Sequence, residues 1–413
     1  MAQHASKATA LWVVRRLREA GHQALLAGGC VRDMLLGEKS TDYDVATDAS
    51  PQRVRRLFPH VLLVGAKFGV AMVIRDRQRV EVTTFRSDLS YSDGRRPDGV
   101  RFATAREDAL RRDFTINGMF YDPFARRVID YVGGQEDLKA GLVRTIGPPR
   151  DRFAEDYLRM IRAVRFAIRF GFRIDPATAQ AAREFAPKIV CISGERIHEE
   201  LSKMLSRDSA EQALRLLHEL GLSCQILPEL CAAGGPWETA ALRVAEVARR
   251  RDACLTFGAL LMDLPPRTVS AIVRRWGASN ELRDALCFFA EHREDWQSAA
   301  DLPLAVFKRL MARRDFARLR ALWAVRERLQ TGRTALGRRI ARRAAQIPAA
   351  KVRPSPLVSG ADLKRLGLTE GPLLGRIVRE LYDAQLNEQF HSRREAMALA
   401  RAKAQAARQS GPP

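Results

Sequence analysis

The spacing of hydrophobic positions divides the chain into two regions. Up to about residue 147, short segments rich in Val, Ile, Leu and Thr alternate with Gly, Asp and Pro, which is typical of strands and turns. These segments are HQALLAGG, TDYDVAT, VLLVGAKFGVAMVIRD, QRVEVTTFR and RRVIDYVG. Helical spacing occurs between them, at 31–36 before Gly37 and at 51–58 after polar cap residues. The first region is therefore predicted to be a mixed α/β domain with a small sheet.

From residue 151 onward, almost every apolar segment has helical periodicity, with Gly or Pro between segments. The segment 153–171, FAEDYLRMIRAVRFAIRFG, is predicted to be one of these helices. The prolines at 354 and 356 mark a linker before a last helical unit, and a basic, Ala-rich tail starts near residue 393. The predicted fold class is α+β, an α/β domain followed by an all-α region.

The composition narrows the class of partner. The chain has 413 residues, enough for two to four domains, and its net charge of +22 favours a polyanion, with nucleic acid ahead of an anionic membrane. No run of 18 apolar residues and no signal-peptide core occurs, so no membrane association is expected. The six cysteines lack zinc-site spacing and are predicted to be reduced, buried thiols in a cytoplasmic protein without structural zinc.

A glycine pair at the start of a predicted helix is a candidate phosphate site. Gly28 and Gly29 follow a strand-like segment, and their backbone N–H groups can approach an anion at the positive end of the helix dipole. Arg32, one turn later, can add a guanidinium group. By itself, a Gly-Gly turn before a helix is also ordinary chain punctuation.

Three carboxylates form a candidate metal site. Asp42 and Asp44 are two residues apart on a predicted strand, so both should face one side, where they repel each other unless a cation lies between them. Carboxylate oxygens suit Mg²⁺, which also binds substrate phosphates. Glu81 is the candidate third ligand. The alternatives are a solvated Asp-x-Asp turn and, for Glu81, an ordinary charge on an edge strand.

A third polar group lies at 111–117, RRDFTIN. Arg111 and Arg112 suit phosphate charge, while Asp113 and Asn117 can hydrogen-bond to ribose hydroxyls. Arg111 could equally be a solvated neighbour of the site.

Asp156, Arg159, Arg162 and Arg165 recur every three residues and are predicted to form a slanting ladder on one helix. Asp156 only accepts hydrogen bonds and Arg159 only donates them, which matches the base edges of cytosine and adenine and mismatches those of uracil and guanine. The alternative is a surface ion pair between neighbouring helical turns.

Taken together and in this order, these motifs resemble the class II CCA-adding enzymes and bacterial poly(A) polymerases, which are polymerase-β-type nucleotidyltransferases. The likeness is strong over residues 22–205 and includes ERIHEEL at 195–201, interpreted as a mostly structural neck motif. The resemblance implies a catalytic head at 1–147, a nucleotide-selecting neck at 148–210, an RNA-binding body at 211–350 and a tail at 351–413.

The resemblance also implies a role for most of the candidate residues. The triphosphate would be held by Gly29, Arg32 and Arg112, the metals by Asp42 and Asp44, the sugar by Asp113 and Asn117, and the base by Asp156 and Arg159, with Arg162 and Arg165 as further contacts.

The implied function is addition of C, C and A to a tRNA 3′ end from CTP and ATP with Mg²⁺ by a two-metal mechanism. Alternatives are a poly(A) polymerase, a partial CC- or A-adding enzyme and a non-catalytic RNA-binding protein. A mobile loop is expected at 86–97 and favours CCA addition, whereas the basic segment 338–343 slightly favours poly(A). Met262 stands where phosphohydrolase relatives have a metal-binding His, so no such activity is expected.

Overall fold

A computed structural model describes residues 3–4, 6–63, 69–88, 100–232 and 235–409. The chain forms two compact units. The first contains residues 1–241, 248–253 and 272–278, and the second contains 242–247, 254–271 and 279–413.

The strands of the described residues all lie in the first 174 positions. They are β1 (Gln3–His4), β2 (Ala24–Ala27), β3 (Asp44–Thr47), β4 (Val61–Leu62), β5 (Val70–Arg75), β6 (Gln78–Thr84), β7 (Arg86–Asp88), β8 (Val100–Phe102), β9 (Phe120–Asp122), β10 (Arg127–Ile129), β11 (Leu142–Val143) and β12 (Arg173–Ile174).

The α-helices occupy most of the remaining described chain. They are α1 (Lys7–Glu19), α2 (Gly29–Leu35), α3 (Pro51–Leu57), α4 (Ala105–Leu110), α5 (Gly134–Ala140), α6 (Pro149–Glu155), α7 (Leu158–Phe170), α8 (Pro176–Phe185), α9 (Gly194–Leu205), α10 (Ala210–Glu219), α11 (Leu222–Ile226), α12 (Pro228–Cys231), α13 (Trp237–Val247), α14 (Ala253–Leu261), α15 (Pro266–Arg275), α16 (Asn280–Glu291), α17 (Leu304–Met311), α18 (Phe316–Thr331), α19 (Ala335–Ala345), α20 (Ala349–Val352), α21 (Gly360–Arg365), α22 (Pro372–Leu386) and α23 (Arg393–Gln409). Short 3-10 helices cover Thr115–Asn117, Ala186–Cys191, Ala248–Arg250 and Asp295–Gln297.

The main sheet has the strand order β10-β9-β2-β3-β6-β5-β4, and β1 pairs with β6 outside this path. Strands β2 and β3 are antiparallel, whereas β3 and β6 are parallel. Since side chains alternate across a strand, Leu26 of β2 packs in the larger core beneath α1, while Leu25 packs with Phe85 and Phe120 in a smaller one. The α+β fold class predicted from the sequence is confirmed.

Two local predictions in the first unit need correction. The helix predicted at 153–171 is broken at Asp156, whose φ of −155° and ψ of 104° are extended, so α6 and α7 are separate helices. A strand also occurs in the region predicted to be all-α, because β12 pairs in parallel with β11. Residues 354–356, where a linker was predicted, lie outside any helix or strand.

All the regular secondary structure described in the second unit is helical. Its last helices, α21 to α23, enclose a core that contains Leu363, Leu381 and Ala400. A buried ion-pair cluster joins two other helices, since Asp263 receives the guanidinium groups of Arg243 at 2.6 Å and Arg326 at 2.5 Å. Asp263 is the residue next to Met262, so the carboxylate of the stretch that resembles a phosphohydrolase motif is engaged by two arginines.

The prediction that all six cysteines are reduced and buried is wrong. Cys224 and Cys231 form a disulfide, with their Cα atoms 5.3 Å apart, and Cys191 is exposed. Because α11 turns directly into α12, these two cysteines meet although their spacing matches no common motif. His218 lies beside them, within 4.8 Å of both sulfur atoms, a Cys/His group that the sequence spacing did not indicate.

Candidate active site

The residues singled out from the sequence converge on one cavity of about 700 Å³ in the first unit. Its lining includes Gly28, Gly29, Arg32, Asp42, Asp44, Glu81, Arg111, Arg112, Asp113, Asn117, Asp156, Arg159, Arg162 and Arg165, that is, every candidate site residue. They come from α2 and the turn before it, β3 and the residues before it, β6, the segment after α4, the break between α6 and α7, and helix α7, which are far apart in the chain.

The acidic wall is built by two neighbouring strands. Parallel pairing of Val45 with Val82 sets Asp44 at the start of β3 beside Glu81 of β6. Strand β6 lies between β3 and β5, so the alternative that Glu81 is an edge-strand charge is wrong. Asp42 precedes β3 rather than lying on it as predicted, yet it reaches the same cavity.

Burial and neighbouring charges disfavour ionisation of two of these carboxylates, Asp44 and Glu81. Burial, followed by the charges of Glu81 and Asp42, raises the pKa of Asp44 to about 7. The pKa of Glu81 is also raised, because neighbouring protein atoms displace water from it and because Asp42 lies nearby. Three hard oxygen donors that repel one another in one cavity form a donor set that fits a divalent cation such as Mg²⁺.

The glycine turn forms another part of the cavity lining. Gly28 has φ +70° and ψ −126°, a conformation that side chains disfavour, and a Cβ there would lie 2.9 Å from Nη1 of Arg112. This conformation ends β2 and starts α2 at Gly29. It thereby places the first N–H groups of the helix at the cavity, as the phosphate-site prediction requires.

Arg32 is almost completely buried, with 2% of its surface exposed. Its Nε and Nη2 donate to Oδ1 of Asp33 at 2.9 and 2.6 Å, and its Nη1 donates to Oδ1 of Asn117. Burial lowers the pKa of Arg32, opposed by Asp33. Its guanidinium also lies 4.5 Å from the ring centroid of Phe170. The arginine is thus held in one orientation by contacts on several sides.

A single buried carboxylate orients both Arg111 and Arg112. Asp108 of α4 accepts from Arg111 at 2.7 Å and from Arg112 at 2.9 Å. Although burial opposes it, these two arginines hold the pKa of Asp108 below its ordinary value. Arg111 also donates to the carbonyl of Arg86 at 3.0 Å. Arg111 is therefore a bound neighbour at the cavity wall and not a solvated side chain.

Asp113, Asn117 and Arg162 form a second fixed cluster. Arg162 donates to Oδ2 of Asp113 at 2.9 and 2.5 Å, and Nδ2 of Asn117 donates to Oδ1 at 3.0 Å. Despite burial, Arg162 and Asn117 hold the pKa of Asp113 well below its usual range. Arg162 and Arg165 also pair with the buried Glu200 of α9, at 3.9 and 2.5 Å.

The predicted base-reading pair is arranged differently from a helical ladder. Asp156 lies in the break between α6 and α7, whereas Arg159 lies on α7. Arg196 donates to both carboxylate oxygens of Asp156, at 3.2 and 2.7 Å, and Glu155 accepts from Arg159 at 2.5 Å. The two residues are therefore each held by a different partner, and the alternative of a surface ion pair between them is wrong.

Several residues at the cavity were not identified as site residues from the sequence. Those with polar or aromatic side chains are Thr83, Arg86, Phe166, Arg169 and Arg196. Two of them carried a usable signal: Arg169 continues the series of arginines on α7 and stands four residues after Arg165, and Arg196 belongs to the ERIHEEL motif. That motif has two roles: Arg196 lines the cavity, and Glu200 on the same helix pairs with arginines of α7. Residues 86–88 of the predicted loop form strand β7, and 89–97 lie outside the described residues.

The chain is similar to known proteins in both sequence and structure. Residues 24–144 match the poly A polymerase head domain, and residues 171–233 match a domain described as the probable RNA and SrmB-binding site of polymerase A. The structure also superposes on the crystal structure of the Bacillus stearothermophilus CCA-adding enzyme in complex with CTP, with a TM-score of 0.76. The two sequences are 30% identical, and the match covers 97% of this chain and 98% of that one.

The chain belongs to the family of class II CCA-adding enzymes and bacterial poly(A) polymerases. It is a nucleotidyltransferase, as the motifs indicated. The CCA-adding enzyme of Geobacillus thermodenitrificans is 40% identical over 278 residues, which are 67% of each chain. Poly(A) polymerase I of Escherichia coli is 42% identical over 233 residues, 54% of this chain and 50% of that protein.

Sequence identity alone therefore does not separate the two branches of the family, because both match at about 40%. The chain aligns with only about half to two thirds of the length of these relatives in sequence. Within the described part of the chain, every helix is too short or too polar to span a bilayer.

Proposed function

We propose that this protein adds CMP, CMP and then AMP to tRNA 3′ ends, using CTP and ATP as substrates, in the cytoplasm. The observation that carries the proposal is the cavity in which a carboxylate wall, a cation-lined phosphate approach and a fixed Asp/Arg pair meet. Among its described lining residues, nine arginines and five carboxylates leave an excess of four positive charges, which favours an anionic substrate.

Asp42, Asp44 and Glu81 are the residues that would hold Mg²⁺. Bound there, the metal would supply activation of the RNA 3′ hydroxyl and charge neutralisation at the departing pyrophosphate. The choice of Mg²⁺, and of two ions rather than one, follows from the oxygen donor set and from the family.

The protein's own groups position the nucleotide. The helix N-terminus at Gly29, together with Arg32 and Arg112, would bind the triphosphate, and the buried contacts of both arginines keep them in place before the substrate arrives. Asp113 and Asn117 lie next to Arg32 and would contact the ribose. Fixed donors of this kind need little rearrangement on binding.

Base selection would depend on Asp156 and Arg159. Arg196 and the backbone N–H of Leu158 use three of the roughly four lone-pair sites of the Asp156 carboxylate, which leaves one to accept from an exocyclic amine. Arg159 can donate to an unprotonated ring nitrogen. Each well-formed pair of such hydrogen bonds is worth roughly 1–3 kcal/mol of discrimination against the wrong base. Cytosine and adenine share this edge, so one site can serve both without a template.

A poly(A) polymerase is the second candidate function, because the Escherichia coli poly(A) polymerase I matches as closely in identity as the CCA-adding relatives. CCA addition is preferred because the sequence match to the Geobacillus thermodenitrificans CCA-adding enzyme covers 67% of that protein, whereas the match to poly(A) polymerase I covers 50% of that protein. A solved CCA-adding enzyme also superposes over 98% of its chain.

One assay separates the candidates. The purified protein is incubated with tRNA lacking CCA, with CC-ended tRNA and with an unrelated RNA, each with single nucleoside triphosphates, and products are sized. We expect two residues from CTP on the first RNA, one from ATP on the second and none on the third. Long A tracts on the unrelated RNA would indicate a poly(A) polymerase, and loss of one of the two steps a partial enzyme.

The metal assignment has its own test. Asp42 is exposed, so Asp42→Ala should fold normally, as judged by its thermal unfolding, but should incorporate no nucleotide at any Mg²⁺ concentration. An Asp42→Ala protein that still extends tRNA would refute the assignment. RNA binding without extension by the unaltered protein would instead favour the non-catalytic alternative.

A further inference from the structure

A second cavity, of about 470 Å³, adjoins the candidate active site and shares Arg165 and Arg169 with it. Its remaining lining comes from the end of α9, the turn that follows and the segment after the 3-10 helix Ala248–Arg250, namely Lys203, Ser206, Arg207, Asp208 and Arg251. All of these residues belong to the first compact unit. Neither the carboxylate wall nor the base-reading pair reaches this cavity.

The lining carries a concentrated positive charge. It has five cationic side chains and a single carboxylate, Asp208, which pairs with Arg251 at 2.6 Å. Lys203 pairs with the buried Glu200 at 3.1 Å, whereas the exposed Arg207 has no carboxylate partner among the described residues. Cationic groups gathered in a concave surface repel one another and raise the local concentration of an anion.

The chemistry of the lining selects the kind of anion. The described lining contains no aromatic ring on which a base could stack, and one carboxylate paired to an arginine is a poor metal site. Arginine, lysine and serine side chains are typical contacts of phosphate oxygens along a nucleic-acid backbone. The cavity therefore suits phosphodiester groups better than a complete nucleotide.

Helix α7 joins this cavity to the active site. Arg165 and Arg169 are four residues apart, so they lie one above the other on the helix, about 6 Å apart along its axis. Both residues line both cavities, which makes a continuous cationic path.

We propose that the second cavity binds backbone phosphates of the RNA strand whose 3′ end enters the active site. This inference rests on the proposed function and names where the RNA substrate is held next to the reacting end. It assigns Arg207 and Arg251 as RNA-binding residues that contact neither the nucleotide nor the metal ligands.

The test compares the double variant Arg207→Ala/Arg251→Ala with a matched control, Arg55→Ala/Arg56→Ala, which removes two exposed arginines of α3. The Kd and KM for tRNA lacking CCA should rise about tenfold or more in the first protein, and the KM for CTP should stay unchanged. The log–log dependence of tRNA affinity on salt should become shallower by about 0.7 for each phosphate group that the variant no longer binds. The control should resemble the unaltered protein.

A second variant, which should bind tRNA more tightly, controls for weaker binding caused by a general loss of stability. Asp208→Asn removes the one acidic group of the lining and releases Arg251, so the Kd for tRNA should fall. Unchanged tRNA affinity in both the double variant and Asp208→Asn would overturn the inference. A change confined to the KM for CTP, or to inhibition by pyrophosphate, would also overturn it, because the anion would then be the nucleotide or the leaving group.

The outcome that would refute the proposed function differs from the outcomes that would overturn this inference. The unaltered protein would then extend no tRNA, yet the direct tRNA Kd measurements would still report on this cavity.

Discussion

Asp42, Asp44 and Glu81 occupy the same cavity, and burial, followed by the charges of neighbouring carboxylates, makes Asp44 and Glu81 harder to ionise. At Asp44 the effect is large, since its pKa rises from an ordinary value of 3.8 to about 7. The folded protein therefore binds this proton more tightly than the unfolded chain does. The stability that this proton contributes is fully present below the unfolded pKa and is lost as the pH rises through about 7.

This linkage gives a stability prediction. Without divalent cations, the free energy of unfolding should fall between about pH 4 and pH 7, by at most on the order of 3 kcal/mol. Asp44→Asn should remove most of the slope, leaving the smaller contribution of Glu81, and should be the more stable protein at about pH 8. Added Mg²⁺ should stabilise the unaltered protein there and have less effect on Asp44→Asn. Denaturant unfolding between about pH 4 and about pH 8 measures the stability of both proteins, each with and without Mg²⁺.

The control for this experiment is Asp76→Asn, in an exposed turn where the φ of 49° is tolerated by Asn. It should keep the pH slope of the unaltered protein. A slope as steep in Asp44→Asn as in the unaltered protein would show that a group other than Asp44 is responsible.

A second residue-scale prediction concerns the glycine pair. Gly28→Ala should destabilise the fold by about 2 kcal/mol, because its φ is +70° and its Cβ would crowd Arg112. The activity should fall as well, because Arg112 must move away from Asp108. Gly29→Ala is the matched control, since its Cβ would meet its nearest neighbour, Nη2 of Arg32, at 3.4 Å, at a helical position that accepts Ala. Equal thermal unfolding temperatures for the two variants would contradict this explanation.

At the scale of elements, the break between α6 and α7 has a functional consequence. Asp156 leaves the helix there and is held by Arg196 of α9, while α7 carries Arg159, Arg162 and Arg165. A continuous helix would have placed Asp156 one turn before Arg159 as its direct partner. The break instead gives each residue a separate anchor, so that both can point their remaining hydrogen-bonding groups at a ligand.

Arg196 is therefore predicted to be a positioning residue for base selection. Arg196→Ala should raise the kcat/KM for UTP relative to CTP, and so reduce discrimination about tenfold, because the Asp156 carboxylate is then no longer held by a guanidinium group. Arg196→Lys, which keeps a single donor group, should have an intermediate effect. Arg183→Ala is the control, because it breaks an exposed ion pair with Glu219 away from the cavity. If Arg196→Ala lowers the kcat/KM for UTP and for CTP by the same factor, the role of Arg196 is structural alone.

At the scale of the whole molecule, the net charge of +22 should dominate RNA binding. If roughly six phosphates are contacted, tRNA affinity should fall by about 10³-fold between about 50 and about 200 mM salt. Binding of CTP should weaken much less, because it involves one triphosphate. Filter binding of tRNA and nucleotide competition at several salt concentrations measure the two slopes, and similar slopes would argue against extended backbone contacts.

Much of this molecule follows from local sequence. Alternating apolar residues and Gly or Pro punctuation predicted the α/β region and the helical remainder, because these signals act over a few residues. The order of the Gly-Gly, Asp-x-Asp, RRD and EDxxR motifs identified the family and the candidate residues. The residue types themselves determine which chemistry is available, namely hard oxygen ligands and phosphate-binding cations.

Only the tertiary structure decided how those groups are held. The sequence could not tell whether Glu81 lies on an edge or an interior strand, because the parallel pairing of β3 with β6 joins segments about 35 residues apart. Nor could it assign Arg196 to Asp156, Asp108 to two arginines, or Cys224 to Cys231. Such partnerships depend on distances between side chains that chain order does not specify, and they determine burial, charge and pKa at the site.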